Sequence, residues 1–368
     1  MKKTLVLLLA AVTLLLAGCG SAYHPAKPVG EVPAEFLPLI ESGLLQYGCC
    51  ATANGILAVS PTDADGDDRT DSTEFVKYDK YGAELARVQI PRDALHNHRL
   101  KALTSDDGFL LVNAYSNDPA YGEEDPKLAD VSSDIVKFDR LCNIEWTLPM
   151  PECDWFALHY CFETPNGWVF FGVRETGETY SADSRSSSEI YIVLVSFAGE
   201  IAKTVTFSGS RHDHLYCVVP QDDGFVLYLG SDSNDGDFAH KTNVEGEGRT
   251  YWIFRLDNDL QCVSKEVCSH DDYYDYFEFV YRSYYVGYLD GKALRSNDAL
   301  FADCDGGEVL AVLDYDTFYL VVFRNKTGDG AHPGGTPRSW WTTETVYTAF
   351  GKDGEILWRT AVDDPYIY

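Results

Sequence analysis

Apolar residues in this chain fall into short runs that reverse around an Asn-Gly or Asp-Gly pair. "CCATANGILAVS" (49–60), "ALTSDDGFLLVNAY" (102–115), "CFETPNGWVFFGV" (161–173) and "VVPQDDGFVLYLG" (218–230) share that form. An apolar run, a tight turn and a second apolar run make the strongest short-range sign of a β-hairpin. After a polar interval a second hairpin follows each: "EFVKYDKYGAELARVQI" (74–90), "DIVKFDRLCNIEWTL" (134–148), "EIYIVLVSFAGEIAKTV" (189–205) and "YWIFRLDNDLQCVSKEV" (251–267). A fifth copy of this second hairpin, "TVYTAFGKDGEILWRTAV" (345–362), comes near the end. The turn glycines Gly55, Gly108, Gly167 and Gly224 are spaced 53, 59 and 57 residues apart, so the repeating unit is four antiparallel strands, A to D.

The B strands "ILAV", "FLLV", "WVFF" and "FVLYL" are apolar at both parities. A strand with one wet face would alternate, so these should be covered front and back. Radial stacking of small sheets does this and leaves only short edges. The pattern predicts an all-β fold, a β-propeller of four-stranded blades. Six blades are expected, at about 46–92, 93–150, 151–207, 208–267, 268–312 and 313–362, with five plus an insertion as the alternative. The repeat is faint over 268–344, where "FEFVYRSYYVGYLD" (277–290) reads as a degenerate A–B pair. A short helix fits "AEFLPLIESGLL" (34–45); little other helix is expected.

The first residues read differently. Lys2 and Lys3 precede "TLVLLLAAVTLLL", an apolar run too short and too one-sided for a membrane span. It ends in "LAGC", Leu16 to Cys19, which resembles the lipobox of bacterial lipoprotein precursors. That resemblance implies a leader over 1–19, diacylglyceryl transfer to Cys19 and a place in the bacterial cell envelope, anchored on an extracytoplasmic membrane face. An ordinary secretory signal cleaved nearby is the alternative. Residues 20–45, with Pro25, Pro28 and Pro33, then form a semi-extended tether and lead-in, and 46–368 form the propeller.

Formal net charge is −29, and −31 once Lys2 and Lys3 leave. Such a chain repels nucleic acid and anionic headgroups, so acyl chains rather than a basic patch must hold it to the membrane. Ten cysteines less the lipidated one leave nine, an odd number, so at least one stays outside any intramolecular disulfide. No Cys-x-x-Cys pair is present. The neighbours Cys49 and Cys50 are expected on opposite faces of one strand.

The Asp-Gly-Phe turn, the polar loop and "DIVKFDRLCNIEW" together resemble the tandem-repeat propellers of exported bacterial proteins. The match is good over 46–267 and 345–362 and poor over 268–344. It implies a fold and an envelope setting and brings no catalytic residue with it.

In a propeller the B–C and D–A connections open on one face, and here they hold most of the length and acid. The first B–C loop, "SPTDADGDDRTDSTEF" (60–75), places Asp63, Asp65, Asp67, Asp71 and Glu74 at ligand positions 1, 3, 5, 9 and 12. This resembles the calcium loop of EF-hand proteins. However, Asp68 stands where the sharp turn needs glycine, and strands rather than helices flank it. A solvated acidic tip is the competing reading. Asp232, Asn234, Asp235 and Asp237 are a weaker echo. His96 and His98 precede Gly108 at the same offsets as His212 and His214 precede Gly224. Repeated His-x-His admits a transition metal or hydrogen bonds to the next blade. Trp340 and Trp341 admit stacking on a sugar or a protein contact, or plain packing.

No Gly-x-Ser-x-Gly, His-Glu-x-x-His or phosphate loop occurs. The leading expectation is a lipid-anchored, non-enzymatic binding or scaffold module with an acidic loop face for an envelope protein, glycan or cation. A polysaccharide hydrolase or lyase and a purely structural propeller are the alternatives.

Overall fold

The computed structural model describes residues 26–45, 49–62, 72–91, 96–115, 133–150, 156–180, 185–239, 249–268, 285–289, 292–295, 307–330 and 340–364. They form five sheets whose order follows the chain. The first holds β1 (Cys49–Ala51), β2 (Gly55–Thr62), β3 (Ser72–Asp79) and β4 (Glu84–Pro91); the second holds β5 (His96–Leu103), β6 (Phe109–Tyr115), β7 (Ser133–Phe138) and β8 (Ile144–Met150). The third holds β9 (Phe156–Thr164), β10 (Gly167–Tyr180), β11 (Arg185–Val195) and β12 (Ile201–Phe207); the fourth holds β13 (Asp213–Gln221), β14 (Gly224–Ser231), β15 (Thr250–Asp257) and β16 (Cys262–Cys268). All four are antiparallel meanders, as the paired hairpins predict.

The fifth sheet departs from this plan. Two short strands, β17 (Tyr285–Leu289) and β18 (Lys292–Arg295), form a hairpin beside β19 (Gly307–Asp314), β20 (Phe318–Gly330), β21 (Trp340–Gly351) and β22 (Ile356–Asp364). Gly287 of β17 bridges Val312 of β19 in parallel. The turn from β19 to β20 carries Tyr315, Asp316 and Thr317 and no glycine, so the hairpin signal seen in the other sheets is missing there. Residues 307–312 join the last sheet.

The middle strands are dry on both sides. Along β10, Trp168 and Phe170 enter one core with Ala102 and Leu110 of the second sheet, while Val169 and Phe171 enter another with Val218 and Phe225 of the fourth. Leu57 and Phe75 meet Phe109 and Leu111 across the first and second sheets, and Ile56 meets Leu320 and Val322 of the fifth. Side chains of period two thus serve two neighbours from one strand. Each buried Leu or Phe contributes about 1.5–3 kcal/mol. Neighbouring sheets come together through their first strands, with β9 against β5 and β6, β13 against β10 and β11, and β1 against β17 and β19.

A–B and C–D turns share one edge of the body. Lys80 Nζ in the first sheet's C–D turn donates to the Asp314 carbonyl at the end of β19. Ser105 N donates to Glu163 Oε2 at 2.8 Å between the A–B turns of the second and third sheets. The strand ends that lead into the B–C connections and D–A crossovers lie at the opposite edge, called here the broad edge, with the described residues 208–212 and 232–239. The lead-in spans both. Ala26 N donates to Glu344 Oε1 at 2.5 Å, Val29 bridges Arg359 of β22, and a helix, α1 (Leu37–Glu41), follows. Just before α1, Phe36 sits among Tyr81, Tyr315, Phe318 and Trp358 at the turn edge, with ring centroids 5.3–5.7 Å away. Among the described residues no helix is long and apolar enough to cross a membrane.

Candidate functional site

The most developed polar cluster stands at the broad edge where the third and fourth sheets meet. It grows from "SRHDHLY" (210–216). On an extended strand alternate residues face opposite ways, so His212, His214 and Tyr216 share one face and Asp213 points to the other. The His212 and His214 rings lie 3.9 Å apart edge to face; His214 stacks on Tyr216 at 5.7 Å, and Tyr216 on Tyr251 at 6.1 Å. His212 Nδ1 lies 2.5 Å from Ser188 Oγ on β11. His212 thus contacts the neighbouring sheet through Ser188, while the His214 ring meets His212 and Tyr216 on its own strand.

Arg249 closes the row. Its Nε donates to Asp232 Oδ1 at 3.0 Å and its Nη1 to Tyr216 Oη at 2.6 Å. A side chain at Gly230 would collide with this arrangement, since a Cβ there would lie 2.5 Å from the Tyr216 ring and 2.8 Å from Arg249 Cδ. A parallel arrangement stands on the third sheet. Arg174 donates through Nε to Glu189 Oε1 at 2.7 Å, with its guanidinium 4.6 Å from the centre of the Tyr191 ring.

Behind the histidines Asp213 is fully buried. Its Oδ2 accepts from Gly209 N at 2.9 Å and its Oδ1 from Ser231 Oγ at 2.5 Å, with Ser233 Oγ at 3.4 Å. Ser188 Oγ donates to its carbonyl at 2.8 Å and accepts from its N–H at 2.9 Å. Burial pushes the carboxyl up to about 6, against the pull of these donors. Burial also opposes the charge of neighbouring Asp232, but Arg249 outweighs it and holds that carboxyl below the ordinary range. Two carboxylates with opposed shifts are the usual mark of an acid–base pair. Here Asp213 offers no open face and both its oxygens are occupied, while Asp232 is committed to Arg249. The arrangement ties the 208–213 crossover to the start of the B–C connection.

The other predicted residues are spread more widely. Asp63, Asp65, Asp67 and Asp71 lie outside the described residues, as does Cys19. Glu74 lies within the β2–β3 ladder opposite Ser60, and its Oε1 accepts from Arg87 Nη1 at 2.5 Å. His96 and His98 sit at the broad end of β5, opposite Tyr115 and Asn113 of β6. Trp340 and Trp341 open β21, opposite Gly330 and Asp329 of β20. Among the described residues no group of three or more His, Cys, Asp or Glu is arranged to hold a metal ion. Cys49, Cys50, Cys142 and Cys262 are free thiols.

Asp213, Ser188, Arg174 and Arg249 were not singled out by the sequence reading. Asp213 carries a usable signal, because it shares its strand face with the core residue Leu215. A carboxylate in a core-facing register must be paired or neutral. The arginines carry no comparable signal, since their partners Glu189 and Asp232 come from across a connection.

No family model matches the chain, and no curated protein matches it. Among solved structures, the cobalt-substituted apocarotenoid oxygenase of Synechocystis is similar at 10% identity and a TM-score of 0.33, covering 87% of this chain and 72% of that one. A single-residue variant of the same oxygenase gives 10% and 0.32 over the same shares, and an ACO/RPE65 chimera gives 12% and 0.30. Similarity at this level carries no argument about this chain.

Proposed function

We propose that the chain is a cell-envelope β-propeller lipoprotein, anchored through Cys19, that binds a partner through its broad edge without acting as an enzyme. The observation that carries this reading is the division between the two edges. Tight turns with satisfied backbones occupy one, while the His–Tyr–Arg row and the strand ends that lead into the long acidic stretches of sequence occupy the other. Variable connections on a rigid scaffold are where recognition concentrates. The lipobox supports the anchor. Face-to-face packing from the fifth sheet to the first and onward to the fourth supports radial closure, with β17 and β18 as remnants of a sixth blade. A calcium ion held by Asp63, Asp65, Asp67, Asp71 and Glu74 would order the first acidic connection and relieve its self-repulsion.

The test is capture of an envelope component on the immobilised full chain, with and without calcium. Capture should fall with salt and be lost in Asn234→Lys with Asp363→Lys at the broad edge. It should persist in Asn258→Lys with Glu355→Lys at the turn edge. Capture indifferent to the broad-edge pair overturns the reading.

A further inference from the structure

Two lysines hold the same place in the first and second sheets and end in opposite surroundings. Lys137 is buried, but the carboxylates it reaches, Asp106 and Glu145, are half-exposed. Lys77 and its partner Asp107 are both shut away, with side chains 1% and 6% exposed. Lys77 Nζ lies 2.9 Å from Asp107 Oδ1, and Thr52 Oγ1 stands between them. It accepts from Nζ at 2.5 Å and donates to Oδ1 at 2.6 Å, while Asn54 N donates to the same oxygen at 2.9 Å. The Asp107 backbone is fixed by its own N–H, which donates to the Thr104 carbonyl at 2.9 Å. Lys77 stands opposite Leu57 and shares a strand face with Phe75, and both belong to a buried cluster with Phe109 and Phe138.

We infer that Lys77 and Asp107 condense to an isopeptide bond, a covalent amide that ties the first sheet to the second. The structure shows the pair before reaction, as ions. Burial favours the neutral amine and lowers the lysine's pKa against the pull of Asp107. The ammonium gives one proton to the carboxylate through Thr52, leaving an amine beside a carboxylic acid with no change in net charge. Nζ adds to Cγ and the new N–C bond forms. Nζ then loses a second proton, which Thr52 passes to the departing Oδ1 hydroxyl, and the C–O bond breaks to release water. Amine and acid become amide and water, with nothing oxidised or reduced. Fixed contact between the reacting groups replaces a chance encounter, and the apolar surroundings keep out the water that would hold both groups as ions. At Lys137 the half-exposed carboxylates stay solvated, and no amide is expected. The inference is independent of the lipid anchor.

The experiment makes the full chain by cell-free synthesis, follows its intact mass in denaturant and then digests it. The parent should settle one water lighter than its sequence and yield a branched peptide joining the segments that hold Lys77 and Asp107. Lys137 should stay in a linear peptide. Thr52→Val should slow the loss of water by about 100-fold or more. Lys77→Arg keeps a buried cation but has no amine to acylate, so its mass should stay whole. The same loss of water in Lys77→Arg would come from a succinimide at Asp107–Gly108 and overturns the inference. A parent that is folded by circular dichroism, has its whole mass and yields only linear peptides overturns it too, with no variant needed. An unchanged rate in folded Thr52→Val overturns the relay.

Discussion

The boundary between the first and second sheets and the boundary between the third and fourth are built on one backbone plan from different chemistry. The plan is clearest at the third-strand position two residues before the C–D turn. That position is Lys77, Lys137, Leu194, Arg255 and Ala349 in the five sheets, opposite Leu57, Leu110, Val169, Val226 and Leu320. Lys77 is 1% exposed and crosses to the next sheet, donating to Asp107 Oδ1 at 2.9 Å and to Thr52 Oγ1 at 2.5 Å. The same Asp107 oxygen accepts from Thr52 Oγ1 at 2.6 Å and Asn54 N at 2.9 Å. At the third-to-fourth boundary Leu194 packs against an apolar cluster that includes Phe171, Phe225 and Phe254.

Leucine removes the cation at the third-to-fourth boundary, but whether a lysine at this position crosses depends on one residue in a turn. Between Thr104 and Gly108 the second sheet's A–B turn holds three residues, and the last, Asp107, is left-handed with φ 70°. A three-residue hairpin loop ends in such a residue, and Asp tolerates it. The first and third sheets make that turn with two residues, ending in Asn54 and Asn166. Lys137 consequently turns back to Asp106 and Glu145 in its own sheet, each at 3.0 Å. A local insertion decides whether a buried cation crosses an interface.

Removing the crossing partner should have the largest effect. Asp107→Ala leaves Lys77 buried with its charge uncompensated, and burial already lowers the pKa of that ammonium against the pull of Asp107. The expected loss is about 3–5 kcal/mol in urea denaturation. Lys77→Met added to Asp107→Ala should recover much of it, because an apolar replacement of a buried pair is often close to neutral. If Asp107→Ala costs under about 1 kcal/mol, the ammonium finds water and the two boundaries do not differ as described.

The third-to-fourth boundary has its own buried charge in Asp213, and pH separates it from the lysine pair. A carboxyl raised to about 6 in the folded protein contributes stability that is present below the unfolded pKa near 4 and is lost as pH rises through 6. The amount is up to about 3 kcal/mol. In Asp213→Asn the amide oxygen would accept from Gly209 N while the amide N–H groups meet Ser231 and Ser233, whose hydroxyls turn to accept. The variant's melting temperature relative to the parent should therefore be highest near neutral pH and fall between pH 7 and 4. A pH-independent difference would mean that Asp213 keeps its charge throughout that range.

Much of this architecture was legible in the chain. Hairpins announce themselves through Asn-Gly and Asp-Gly, and the doubly apolar B strands require cover on two sides. The lysines of "FVKYD" and "IVKFD" could also have been read as buried, since each interrupts an apolar run. Three things were hidden. The β19–β20 turn has no glycine, so the last sheet's first strand was faint. The choice between Asp106 and Asp107 as partners depends on a one-residue difference in loop length, which only the ladder register exposes. The pairing of Arg174 with Glu189 and of Arg249 with Asp232 joins residues across connections whose length says nothing about where their ends meet.

The C–D turns give the finest test, because they share one backbone form and place glycine, cysteine or leucine at its left-handed position. Gly82, Gly199 and Gly354 have positive φ there, and Cys142 and Leu260 take the same place with φ 60° and 57°. A Cβ at Gly199 would lie 2.6 Å from the Trp146 ring. Cys142 and Leu260 instead lie in the cores, 6% and 1% exposed. The left-handed conformation costs a non-glycine residue about 1–2 kcal/mol, so it survives only where burial offsets it. A buried leucine contributes more than that and a thiol about as much. Leu260→Gly should therefore lower stability by about 2 kcal/mol, and Cys142→Gly should stay within about 1 kcal/mol of the parent. Equal losses at the two positions would mean that turn conformation, rather than the core behind it, decides which residue stands there.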